Sequence, residues 1–155
     1  MVDNHHKNPI PTVDTIIQSN SQILFVRRKK DPFKDRLAFP GGFVNEGETV
    51  EDAAIREVKE ETSLDIELEG ILGVYSDPNR DPRGHIMSTV FIGKIPKDNG
   101  NGTEPIPGDD AAEIKWASLE AIDNEPLGFD HRKIISDYKK WVQTKETFWS
   151  SKDQN

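Results

Sequence analysis

The sequence predicts an α/β domain, a β-sheet packed against helices. Three observations lead there: short β-branched runs recur between Val13 and Trp116, two windows read as helix, and the two kinds of segment alternate along the chain. At 155 residues and 17.5 kDa the chain has room for one core and not for a second full domain.

Val13 to Ile17 and Gln22 to Val26 read as two strands joined by the polar turn Gln18-Ser19-Asn20-Ser21. The basic run Arg27 to Lys30 leads into a loop, Asp31-Pro32-Phe33. Pro40-Gly41-Gly42 is a breaker, followed by Phe43-Val44 and a turn around Asn45-Glu46-Gly47. From Thr49 fourteen residues contain no Gly or Pro, and Thr49 followed by Asp52 resembles a capping arrangement, so a helix is placed at 49–62. Ile66 to Tyr75 and Ile86 to Ile95 are longer strands flanking the polar loop Ser76 to His85. The loop Lys97 to Asp110, rich in Gly, Pro, Asn and Asp, is long enough to be functional. Ala112 to Trp116 is a short strand and Phe129 to Val142 a second helix. Residues 1–11 are expected to be a flexible lead-in, 12–143 the domain, and 144–155 a polar tail on which Phe148 and Trp149 could dock.

A hydrophobic fraction of 34% against 31% charged residues is polar for a globular chain, yet runs such as Ile23-Leu24-Phe25-Val26 still supply a core. The absence of cysteine excludes disulfides, thiolate metal sites and cysteine nucleophiles, so any metal is held by oxygen or imidazole. No apolar stretch approaches the length of a signal core or a membrane span, which points to the cytoplasm and away from membranes. A net charge of −8 argues against a nucleic-acid partner. Such a chain binds an anionic phosphate most simply through a divalent cation.

The segment Gly41 to Leu64, GGFVNEGETVEDAAIREVKEETSL, carries the chemistry. At about 100° per residue, Val50, Ala53, Ala54 and Val58 form an apolar stripe, with Glu57 and Glu61 inside it and Glu60 on its edge. Asp52 and Lys59 point to the opposite side. A glutamate-rich helix is commonly just a solvated face. Carboxylates turned inward repel one another and are costly to desolvate, unless a cation or proton compensates them. Clustered carboxylate oxygens suit Mg2+ or Mn2+.

This segment resembles the Nudix box at Gly42, Glu48, Arg56, Glu57, Val58, Glu60, Glu61 and Leu64, departing from it where Ser63 replaces a glycine at the helix C-terminus. Serine there should cost little stability and leave the ligands untouched. The resemblance implies a Nudix α/β/α sandwich, a mixed sheet between helices. It implies that Glu57, Glu60 and Glu61, with the backbone carbonyl of Gly42, hold the divalent cations. It assigns Arg56 and Glu48 to an ion pair that fixes the turn against the helix. The cations would neutralise and orient a diphosphate and activate water.

Ser76 to Phe91, Asp109 to Trp116 and Leu127 to Ile135 look like segments of the ADP-ribose pyrophosphatase subfamily, so the resemblance reaches from about Thr12 to Trp141. It implies ADP-ribose as substrate, a general base at Glu113 with Asp110 in reserve, and a homodimer. Arg80, Arg83 and His85, with Asp77, form a local patch suited to phosphate or ribose; the competing reading pairs the arginines with Asp77 and Asp81. Phe33 or Phe39 could stack on adenine, although core is their commoner use. The loop's calcium-site look fails, because Ser88 stands where a bidentate Glu belongs. Alternatives are a nucleoside triphosphate or dinucleotide pyrophosphatase and a non-catalytic ADP-ribose sensor. The complete set of box glutamates, and a length with no room for an attached DNA-binding domain, weigh against the sensor.

Overall fold

The computed structural model describes residues 7–96, 108 and 111–147. Strand β1, Ile10–Ser19, is the centre of the sheet, and its Thr15-Ile16-Ile17 run is buried on both faces. It turns through Asn20, at φ 57°, into β2, Gln22–Arg28. Two short strands follow, β3, Leu37–Ala38, and β4, Gly41–Phe43. After helix α1, Val50–Thr62, come β5, Glu67–Tyr75, β6, Ile86–Lys94, β7, Ala111–Ser118, and helix α2, His131–Thr144. The strand order is β3-β2-β1-β6-β5, with β4 on β1 and β7 on β2. β1 runs parallel to β6 and antiparallel to β2 and β4, so the sheet is mixed.

Alternation along β1 distributes the two helices. Val58 of α1 packs with Ile17, Leu24, Leu64 and Ile66, while Ala53 and Ala54 meet Val13 and Phe91. On the opposite face Ile134, Ile135, Tyr138 and Trp141 of α2 pack with Ile16, Phe25 and Val90. The result is the expected sandwich.

Local signals placed α1 within one residue. Thr49 Oγ1 accepts from the Asp52 amide at 3.1 Å, and Ser63 closes the helix at φ 65° as a left-handed cap. Long-range pairing moved other boundaries. β1 begins at Ile10, ahead of the expected strand start at Val13, because Ile10 to Thr12 pair with Ile86 to Ser88. Gly41 belongs to a strand rather than a turn: a Cβ there would stand 2.1 Å from the Val13 carbonyl oxygen, so only glycine lets β4 approach β1. Helix α2 starts at His131 because Phe129 holds φ 51°, outside the helical region. Asp110, Phe148 and Trp149 lie outside the described residues. No helix among those described is long and apolar enough to cross a membrane.

Candidate active site

A cleft of about 500 Å3 opens where β1, β2 and β4 meet the acidic side of α1 and the start of α2. Glu57 and Glu61 both line it. Glu57 keeps 14% of its side-chain surface exposed, and its carboxylate lies 2.6 Å from where a Cβ on Gly42 would stand. Gly42 thus leaves a cradle that the carboxylate fills. Glu61 Oε2 accepts from the Gly41 amide at 3.1 Å. Burial first, then the charge of Glu57, hold the Glu61 carboxyl well above the usual carboxylate range. Glu57 is also raised by burial, against the pull of Arg56. Two acids driven upward side by side take up a proton or a cation.

Arg56 fastens this corner. Its Nε and Nη2 donate to the two Glu48 oxygens at 2.7 and 2.9 Å, Nη2 also reaches the Phe43 carbonyl at 3.0 Å, and Nη1 donates to Glu57 at 2.8 Å. The Asn45 amide gives Glu48 a further donor at 3.0 Å. Arg56 and that amide hold Glu48 down at about 2, so it stays ionised.

The donors facing the cleft are hard oxygens, the set that Mg2+ and Mn2+ prefer. Among the described residues no three acids or imidazoles stand together as a closed metal cage. Glu57 and Glu61, beside the glycine backbone, are the two carboxylates of this cleft that a hard cation would take as ligands. Arg28, Lys30 and Arg83 line the same cleft and give it a basic rim on an acidic protein.

A family model of the NUDIX domain matches residues 8–138. The chain belongs to the Nudix family. It is 48% identical to an ADP-ribose pyrophosphatase of Methanocaldococcus jannaschii over 86% of this chain and 75% of that one. A crystal structure of a MutT/nudix family protein from Enterococcus faecalis aligns with TM-score 0.74 at 29% identity, covering 92% of this chain and 66% of that one. A bifunctional NMN adenylyltransferase/ADP-ribose pyrophosphatase from Francisella tularensis, crystallised with AMP and a Mn ion, aligns with TM-score 0.73 at 32% identity. The match covers 90% of this chain and 43% of that one, so the chain spans less than half of the bifunctional protein.

Set on this Nudix fold, the expected site residues divide. Gly42, Glu57, Glu61, Arg80 and Arg83 line the cleft. Glu60 does not; it is 58% exposed and bonded to Arg56 Nη1 at 3.1 Å, one step further round α1. Glu113 is not brought to the cleft either. Its neighbours Ile114 and Trp116 pack on the α1 side of the sheet, so Glu113 faces the other side and pairs with Arg27, its cross-strand partner. His85 Nε2 bonds the Ser76 carbonyl at 2.9 Å, and Asp77 caps its own turn by accepting from the Asn79 amide at 2.8 Å; neither lines the cleft.

The two arginines of the loop are paired. Arg80 is almost fully buried and forks onto Asp130 at 2.9 and 2.6 Å, not onto Asp77. Arg83 forks onto Asp81 at 3.1 and 2.8 Å, and its guanidinium lies 5.3 Å from the Phe43 ring and 5.7 Å from the Phe129 ring. Phe39 is core, 2% exposed and stacked on Phe25. Phe33 sits edge-on against Phe129.

Sequence reasoning missed Asp14, Arg28, Phe129, Asp130 and His131. One signal was available: Asp14 interrupts an apolar strand, where an ionisable side chain needs a reason.

Proposed function

We propose that this Nudix hydrolase cleaves the diphosphate linkage of ADP-ribose with water, giving AMP and ribose 5-phosphate, with Mg2+ or alternatively Mn2+ as its cation. The observation that carries the reading is that Glu57 and Glu61 open together onto one cleft beside Gly42. Similarity to the Methanocaldococcus jannaschii ADP-ribose pyrophosphatase, at 48% identity, supports the substrate.

Glu57, Glu61 and the Gly42 carbonyl would hold the cation, and Glu60 would add negative charge at the rim. When bound, such a cation supplies charge neutralisation and Lewis acidity toward the diphosphate. Arg28, Lys30 and Arg83 draw the anionic substrate into the cleft. Arg56 and Glu48 keep the acidic turn of α1 in register with β4, so that the carboxylates need not reorganise as charge develops. With Glu113 turned to Arg27, Asp110 is the remaining sequence candidate for a general base. We extend the reading to a homodimer acting in the cytoplasm, which sedimentation and cell fractionation test.

The deciding experiment is a substrate panel with Mg2+ that follows AMP and ribose 5-phosphate. ADP-ribose is expected to turn over well ahead of nucleoside triphosphates and dinucleotides. Triphosphate turnover with inert ADP-ribose would overturn the substrate and leave the hydrolase.

A further inference from the structure

The floor of the cleft carries a polar pair that cation binding leaves unused. Asp14, with 14% of its side chain exposed, receives a hydrogen bond from Ser88 Oγ on Oδ2. Its other oxygen, Oδ1, sits beside Gly41 at the cleft surface. Facing it is His131, whose side chain is 3% exposed. The Phe39 amide donates to His131 Nδ1 at 3.2 Å, so the neutral ring carries its proton on Nε2. That Nε2 lies 3.8 Å from Asp14 Oδ2, beyond hydrogen-bond reach, and makes no hydrogen bond among the described residues.

A donor and an acceptor at this separation are spanned by one oxygen about 2.8 Å from each. That oxygen must donate to the carboxylate and accept from the imidazole. A hydroxyl does both. A phosphate oxygen only accepts, and its charge would face the Asp14 carboxylate. Both partners are held in place before anything binds. Ser88 fixes Asp14, and stacking on Phe39 at 4.7 Å fixes the imidazole. The buried Arg80–Asp130 fork fixes the residue that precedes His131 at the start of α2.

We propose that Asp14 and His131 form a hydroxyl-binding pair that takes a ribose hydroxyl of the substrate. The proposal rests on the ADP-ribose reading and adds the residues that hold a ribose in the cleft. ADP-ribose has two sources of such a hydroxyl, the terminal ribose and the ribose of adenosine.

Calorimetric binding to the full chain in EDTA at pH 8.5 separates them, because Asp14 is then a carboxylate and turnover is excluded. The probes are ADP-ribose, the β-methyl ester of ADP, which lacks the terminal ribose at the same charge, and ADP-ribose built on 2′,3′-dideoxyadenosine. One analogue is expected to bind wild type about 10- to 100-fold more weakly than ADP-ribose, the range for a hydrogen bond to a charged group, and that analogue identifies the ribose. Asp14→Asn should shrink this discrimination to within about threefold, and Ser88→Ala, which frees the carboxylate without changing charge, should reduce it in the same direction. Equal binding of all three probes by wild type, or full discrimination in Asp14→Asn, would overturn the pair. Discrimination in wild type without hydrolysis of ADP-ribose in Mg2+ would support the pair while overturning the activity.

Discussion

Replacing Asp14 by Asn in the metal-free protein isolates what it costs to bury one carboxylate at the cleft floor. Burial is the largest influence on this group and raises it from 3.8 to about 7, with the Ser88 hydrogen bond pulling the other way. Because the folded value lies above the unfolded one, the stabilisation is complete below 3.8 and is lost as pH rises through about 7. Between pH 5 and pH 8 the loss is about 2.5 kcal/mol. His131 tilts the other way: burial lowers it from 6.5 to about 3, so its stabilisation is present above 6.5 and is lost as pH falls toward 3. The two slopes partly cancel in wild type, which makes the variant-minus-wild-type difference the proper readout. At about 2–4 °C per kcal/mol for a domain of this size, Asp14→Asn should gain roughly 5–10 °C in Tm relative to wild type on going from pH 5 to pH 8. Thermal unfolding by circular dichroism in EDTA measures it. A difference that is the same at both pH values would refute the reasoning.

Two neighbouring glycines should respond differently to alanine. At Gly42 the nearest atoms to the new Cβ belong to the movable Glu57 carboxylate, so Gly42→Ala should fold and lose cation affinity; at Gly41 it meets the Val13 carbonyl, so Gly41→Ala should lower Tm, both read by scanning calorimetry with and without Mn2+. Arg80→Met leaves Asp130 without its buried partner and should cost about 3–5 kcal/mol in a urea titration. Arg80→Lys should recover only part of that, since the fork is lost.

The acidic helix was legible because its determinants are local. Thr49, the run without Gly or Pro, and the spacing of Glu57 and Glu61 all act within a few residues, and even the substituted cap behaved as read, with Ser63 in the left-handed region. The alternation of strand and helix followed from periodicity along the chain, whereas the mixed sheet between two helix layers followed from the Nudix resemblance. What was not legible depends on cross-strand register. Glu113 was a reasonable base by position in the chain, but its face is set by pairing with Arg27, and one residue of parity moves it across the sheet. Strands β3 and β4 are too short to carry a pattern and exist through pairing with β2 and β1. The Asp14–Ser88 bond joins residues 74 apart, and Arg80 reaches Asp130 across 50, so neither partnership could be read along the chain.

The proposed hydrolysis depends on Glu57 and Glu61 holding a divalent cation at the cleft. Mn2+ titration of wild type and Glu61→Gln, followed by electron paramagnetic resonance at pH 7.5, tests this most directly. Wild type should bind Mn2+ and the variant should bind it at least about tenfold more weakly while keeping its fold, the loss expected from removing one charged ligand. Equal Mn2+ affinity in the two proteins would contradict it.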